Sequence, residues 1–456
     1  MKEEFRILAT TAILGYGFPI QSFEEGLKRK PHLIAVDGGS TDPGPYYLGA
    51  GVSFTDRDAV KRDLTIMIEA GIKHKIPVVV GTAGGSGGDT HLQWCREIVC
   101  EIANEKKLHF KLALISAQVD KALLQEELHN GKITPLTAVS ELTSEELNAT
   151  TNIVAQMGIE PFVTALTENP DVILAGRAYD PTCFAALPIM KGYDPALSLH
   201  LGKILECAAI CATPGSGSDC MFGYIGEDYF RVEPLDPIRK CTKVSVAAHT
   251  LYEKTNPYIL PGPGGHLDLT YCKFEQETEN IVKVSGTRFV PSAKYTVKLE
   301  GAKPIGYRTV SIAGTRDPVM IRNIDSITRG VKERVADNFK ENNWNYQLLF
   351  NIYGRDGVMG NLEPMTNMAS HELGIVIEAV ADTQSAADTI CAFARSTMLH
   401  YGYEGRRATA GNLAFPYSPS DFHAGEVYVF SIYHLLEVED PNAIFPIEFI
   451  DLGRGV

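Results

Sequence analysis

Positive charge is scarce in this 456-residue sequence: 42 lysines and arginines face 56 aspartates and glutamates, a formal net charge of −14. A general affinity for nucleic acid or for an anionic membrane needs clustered Lys and Arg, so both are excluded as expected partners. Long apolar runs are missing too. None approaches the ~20 residues of a membrane span. The opening stretch, MKEEFRILATTAILGYGFPI, has an apolar run only about eight residues long and lacks a small-residue cleavage pattern, so it reads as a first strand. A cytoplasmic location is therefore expected. Nine cysteines, an odd number in apolar or helical surroundings, suit reduced thiols and not a disulfide framework. There is no internal repeat, charge block or low-complexity linker. Neither G-x-x-x-x-G-K-[ST] nor G-x-G-x-x-G occurs where it would bind a nucleotide, which excludes an ordinary ATPase or dinucleotide dehydrogenase.

What is present is alternation. Short apolar runs at 6–12, 32–38, 77–83, 111–117 and 171–177 read as strands, with amphipathic stretches between them. Val60, Leu64, Ile68 and Ile72 share one helical face, as do Leu92, Cys95, Val99 and Ile102, with Asp56 and Asp89 at the expected N-cap positions. A further helix is expected over 195–212. This is the pattern of an α/β region with an open, mostly parallel sheet and flanking helices. From about residue 230, shorter β-rich runs mixed with two helical segments (323–339 and 383–402) predict an α+β C-terminal region. The expected domains are 1–235 and 236–456.

Ligands of open parallel sheets bind outside the carboxyl ends of the strands. Here four such ends carry glycine and polar residues: GYGFP (15–19), DGGSTDPGP (37–45), GTAGGSGGD (81–89) and AGRAYDPT (175–182). Asp37, Asp42 and Asp180 are candidates for acid/base duty or for ligating a hard divalent metal, and Arg177 for clamping a carboxylate. Gly84, Gly85, Gly87 and Gly88 are candidates for a backbone anion cradle, joined by Ser40 and Thr41. Tyr46 and Tyr47 are expected beside the ligand. For each residue singly, turn capping or ion pairing explains as much; the convergence of four strand ends is what points to a site.

Other residues carry weaker signals. His249 and Glu253 stand at i, i+4 but fall short of H-E-x-x-H, and a helix histidine explains them as well. Cys207 and Cys211 lie one turn apart with Cys220 beyond a loop, so an iron–sulfur cluster competes with plain core packing. Arg316, Arg355, Arg406 and Arg407 sit in polar loops of the second region, where an anionic ligand or a subunit contact would use them equally.

The strings GFPIQSFEEGL, VDGGSTDPGPYYLG, GTAGGSGGD, AGRAYDPTCFAALP, HLGKILECAAICATPGSGSD and VSVAAHTLYE resemble, in order, the motif series of the acyclic terpene utilisation (AtuA) family. One departure is Tyr179, where the resemblance leads one to expect Cys. The resemblance implies catabolism of branched, unsaturated acids, free or as CoA thioesters, and a small ferredoxin-like companion subunit. The expected function is a lyase of the hydratase/dehydratase type or a related isomerase, on a small branched carboxylate or its acyl-CoA ester, in a homo-oligomer. A non-catalytic scaffold subunit and an acyl/CoA transferase are the alternatives.

Overall fold

The computed structural model describes residues 3–136, 139–365 and 370–453. Contacts divide the chain into two compact units, one of residues 1–303 with 430–456 and the other of residues 304–429. Unit 1 carries β1 (Phe5–Ala9), β2 (Leu33–Asp37), β3 (Val78–Gly81), β4 (Phe110–Ile115), β5 (Ile133–Pro135), β6 (Asn152–Ala155), β7 (Val172–Ala175), β8 (Met221–Ile225) and β9 (Tyr229–Pro234). It continues with β10 (Ile259–Gly262), β11 (Gly265–Asp268), β12 (Lys273–Gln276), β13 (Val282–Ser285) and β14 (Arg288–Pro291). The chain leaves it within β15 (Thr296–Thr315), forms β16 (Tyr346–Tyr353) and β17 (Leu373–Ala381), and returns within β18 (Asp421–Glu437) to end on β19 (Ile447–Leu452).

The main sheet of unit 1 has the order β12-β13-β9-β8-β1-β2-β3-β7-β4-β19. Its middle five strands, β1-β2-β3-β7-β4, are the five apolar runs of the sequence, and they pair in parallel. Antiparallel strands extend it on both sides: β8 pairs β1, and β19 pairs β4. The sheet is thus mixed, with a parallel centre. Buried on both faces, the central strands are apolar at nearly every position, as parallel strands covered by helices must be. Ile7, Leu33, Val79, Ala113 and Ile173 face one core cluster; Leu8, Ile34, Val78, Val80, Leu112 and Val172 face the other.

The helices follow the sequence pattern with two adjustments. The helix Arg57–His74 is capped by the Asp56 carboxylate, which accepts from Ala59 N at 3.0 Å, and it buries Val60, Leu64 and Ile68. In the helix Asp89–Lys106 the N-cap is Gly88; Asp89 is the first helical residue, and its carboxylate accepts from Ser116 Oγ at 2.5 Å. The expected helix over 195–212 divides into an α-helix, Pro195–Leu205, and a 3₁₀ turn, Ala208–Cys211, because Ala208 adopts a left-handed φ of 47°. A small antiparallel sheet, β10-β11-β14, is led by a two-residue hairpin turn of Pro263 and a left-handed Gly264.

Unit 2 is an α+β layer. β16 and β15 flank β17 in antiparallel pairing, and the helices Ile324–Phe339 and Gln384–His400 pack on one face through Ile327, Val331, Ile377, Ala387 and Ile390. Among the described residues, no helix is long and apolar enough to cross a membrane.

Candidate active site

The chain visits β1, β2 and β3 as neighbours, places β4 two positions further out, and returns to fill the gap with β7. Its direction reverses between β3 and β7, the kind of place where open α/β sheets bind ligands. Three adjacent carboxyl ends meet there. Asp37 ends β2, Thr82 follows β3, and Arg177 and Asp180 follow β7. The helix Pro195–Leu205 adds Lys203, with Glu206 as its C-cap, and β15 adds Lys298 and Glu300.

Arg177 is the hub. Its Nε donates to Glu300 Oε2 at 2.6 Å, and one terminal nitrogen donates to Asp180 Oδ1 at 3.2 Å and to the Ala178 carbonyl at 3.0 Å. Glu300 Oε1 accepts from Lys298 Nζ at 2.8 Å and from Thr41 Oγ1 at 2.9 Å. Lys203 pairs with Glu206 and stands 3.9 Å from Asp180 Oδ2. Arg177 and Glu300 are fully enclosed, whereas the Asp180 side chain keeps 24% of its exposure and opens the cluster to solvent. Asp37, Asp180 and Glu206 each present an oxygen within 4.8 Å of the other two. Asp37 Oδ1 is buried and has no hydrogen-bond partner among the described residues.

These surroundings push the acids in opposite directions. Burial, and then the charge of Asp180, raise the Asp37 carboxyl well above its ordinary value. Burial also raises Glu206, which Lys203 only partly offsets. Burial would raise Asp180 as well, but Arg177 and Lys203 outweigh it and hold that carboxyl low. Glu300, buried but paired with Arg177 and Lys298, is held at about 2. Carboxyl groups whose environments drive them apart can divide the roles of proton donor and proton acceptor. The spacing of Asp37, Asp180 and Glu206 also suits one shared divalent cation, with Lys203 already supplying positive charge at the same place.

Of the residues singled out in the sequence, Asp37, Arg177 and Asp180 meet in this cluster, and Thr41 reaches it through Glu300. Asp42 is exposed; its backbone N–H donates to Ser40 Oγ at 3.2 Å, forming a local turn. Tyr46 is 42% exposed and packs edge-on against Tyr47, which leans on Phe54. The 81–88 loop is buried throughout. Gly84, Gly85 and Gly87 have left-handed φ, and a Cβ on them would come within 2.9 Å of His91, Phe54 or Arg177 respectively; Gly88 is the cap before Asp89. The structure thus shows close packing at these glycines and not an open cradle. What the loop does supply is support: the Gly87 carbonyl accepts from Arg177 N at 2.9 Å and Thr82 Oγ1 accepts from Ala178 N at 3.3 Å.

Cys207, Cys211 and Cys220 do not gather. Cys211 lies in one core cluster and Cys220 in the other, while Cys207 lies beside Glu206 and Tyr252. Glu253 lies beyond the end of the helix Lys243–Leu251 that carries His249, in a left-handed conformation that removes it from the i, i+4 relation. The sequence does not single out Lys203, Glu206, Lys298 and Glu300. Their signals were a Lys–Glu pair at i, i+3 in an otherwise apolar helix, and two charges at i, i+2 on one face of a buried strand.

A family model described as acyclic terpene utilisation family protein AtuA matches residues 56–219 and 239–420. No curated protein and no solved structure matches the chain.

Proposed function

The chain belongs to the acyclic terpene utilisation family, with a role in acyclic terpene catabolism, and from that premise we propose that it is a proton-transfer enzyme, a hydratase/dehydratase-type lyase or related isomerase acting on a small branched unsaturated carboxylate or its CoA ester. The observation that carries this reading is the buried, unpartnered Oδ1 of Asp37, whose carboxyl group lies together with those of Asp180 and Glu206. An unmade hydrogen bond on a buried carboxyl costs stability, about 1–3 kcal/mol or more, and a substrate group would repair it.

Asp180, solvent-facing and held ionised by Arg177 and Lys203, takes the proton from the carbon next to the carboxyl or thioester group. The electron pair moves onto that group's oxygen, where the Lys203 ammonium offsets the developing charge. Asp37, carrying a proton, gives it to the departing hydroxyl, which leaves as water, or to the far carbon of the allylic system in an isomerisation. Such positioned proton transfer contributes roughly 10²–10⁴-fold to a rate.

The test is solvent exchange. Branched unsaturated acids and their CoA thioesters, incubated with the purified chain in deuterated water, should gain deuterium at the carbon next to the carboxyl, read by mass spectrometry. Asp37→Asn and Asp180→Asn, folded by circular dichroism, should lose that gain. Exchange that persists in both variants would refute the assignment.

A further inference from the structure

Beside the carboxyl cluster, and still within unit 1, lies a cavity of about 280 Å³ beneath the β10–β11 hairpin. Its walls are largely apolar, with Leu199, Leu260, Leu267 and Phe289 prominent among them. One polar group in it is out of place. Tyr179, the residue before Asp180, is only 8% exposed, and its hydroxyl is buried with no hydrogen-bond partner among the described residues. A buried tyrosine normally finds a partner for its hydroxyl, because stripping that group of water without replacement is unfavourable. The ring is fixed in place: a Cβ on Gly262 of the hairpin would come within 2.7 Å of it, and it packs with Leu199, Leu260 and Leu267. Only a residue without a side chain lets the hairpin lie so close. The hydroxyl is therefore held, desolvated and unoccupied, next to a chamber that can hold a ligand.

We infer that this chamber is the acyl subsite of the enzyme, in which the Tyr179 hydroxyl donates a hydrogen bond to the substrate's carbonyl oxygen while its aliphatic chain lies against Leu199, Leu260 and Leu267. The inference rests on the proton-transfer reading above, since it places the substrate carbonyl one residue away from Asp180. The volume sets a limit on the chain. A dry cavity of about 150 Å³ accommodates benzene, so 280 Å³ accommodates on the order of eight to ten heavy atoms. In a low-dielectric site a fixed phenol aimed at a carbonyl oxygen strengthens as negative charge grows there, which makes Tyr179 a second electrophile alongside Lys203. Burial raises the Tyr179 hydroxyl above its ordinary value, so it stays a donor at neutral pH.

Binding, measured apart from turnover, tests this on the full chain. Isothermal titration with octanoate and with butanoate should show saturable binding of octanoate. Tyr179→Phe should weaken octanoate roughly five- to tenfold. Leu199→Phe, which fills the chamber, should abolish octanoate binding and spare butanoate. Asp42→Asn, exposed and outside the cluster, should bind octanoate as the parent does; a failure of the proton-transfer reading is seen in exchange and a failure of the subsite in binding, so the two are separable. Octanoate that does not bind, or that binds Tyr179→Phe and Leu199→Phe as tightly as the parent, would overturn the inference, and so would a water molecule that satisfies the hydroxyl and is not displaced by saturating octanoate in a crystal structure.

Discussion

The two units treat buried charge differently. Unit 1 buries the side chains of Asp37, Asp63, Arg177, Glu206, Asp219, Glu233 and Glu300; unit 2, among the described residues, buries no charged group and only three polar ones, Thr309, Ser311 and Thr315. Taking a charge out of water costs several kcal/mol unless it is paired and hydrogen-bonded. Three of the charges in unit 1 meet that cost locally. Asp63 accepts from the Gly15 and Gly17 amides at 3.0 Å, Asp219 pairs with Arg239 at 2.6 Å, and Glu233 pairs with Arg29 at 2.8 Å. The other four converge on one place, and there one carboxylate oxygen is left without a partner. Unit 2 shows that this chain can build an apolar core of sheet and helices without such a cluster, so packing alone does not call for it in unit 1.

The comparison breaks first at Arg177. Arg177→Met should remove about 3–5 kcal/mol of stability, because Glu300 would then be buried with Lys298 as its remaining cation. Urea denaturation measures it, and a loss below about 1 kcal/mol, the level of an exposed pair, would show that the hub is not a hub. Asp37→Asn should act in the opposite sense on stability while reducing turnover by roughly 10²–10⁴-fold. The folded state raises the Asp37 carboxyl above its ordinary value of 3.8, so it binds that proton more tightly than the unfolded chain does. Native stability therefore falls as pH rises from that value toward the raised one. The variant escapes this: it should equal or exceed the parent in melting temperature at pH 7, with the gap closing as pH falls toward 4. A gap that widens at low pH would reverse the assigned direction. In unit 2, Ile377→Ala should cost about 2–5 kcal/mol through the cavity it leaves in a fully buried layer. Deuterium exchange per folded molecule should be unaltered, and a drop in it would erase the contrast between the units.

How much of this can be read from the sequence differs between sheet and site. The five central strands are legible because a strand buried on both faces has to be an unbroken apolar run, and 33–37 or 172–175 can be little else. Their antiparallel neighbours are not. β19 pairs with β4 across more than three hundred residues, and no local pattern in IEFIDL names that partner. The units change within β15 and β18, inside continuous strands where composition does not shift. Within the site, Asp37, Arg177 and Asp180 stand out because loops at strand ends concentrate chemistry. Lys203 and Glu206 do not, since HLGKILECAAIC reads as a core helix, and Glu300 is hidden in a strand whose alternation looks like ordinary solvation. The glycines of 81–88 misdirect for a physical reason: the same lack of a side chain that lets a backbone approach an anion lets it approach Arg177 and His91.

The smallest expected effect is also the sharpest test of whether the loop after β2 belongs to the site. Thr41 is 5% exposed and donates to Glu300 Oε1, the oxygen that Lys298 also holds. Thr41→Val keeps the shape and removes the donor, so the loss should be that of one hydrogen bond to a charged acceptor, about 1.5 kcal/mol. Thr41→Ser keeps the donor and loses a methyl group, and should cost about 0.8 kcal/mol. Asp42, one residue on and exposed, has no such connection, and Asp42→Asn should change stability by less than about 0.5 kcal/mol. A double-mutant cycle between Thr41→Val and Arg177→Met should show coupling of about 0.5 kcal/mol or more, since both act on the two oxygens of Glu300. Strict additivity would mean that Thr41 is held by its turn alone, and that the charged centre of unit 1 stops at the strand ends.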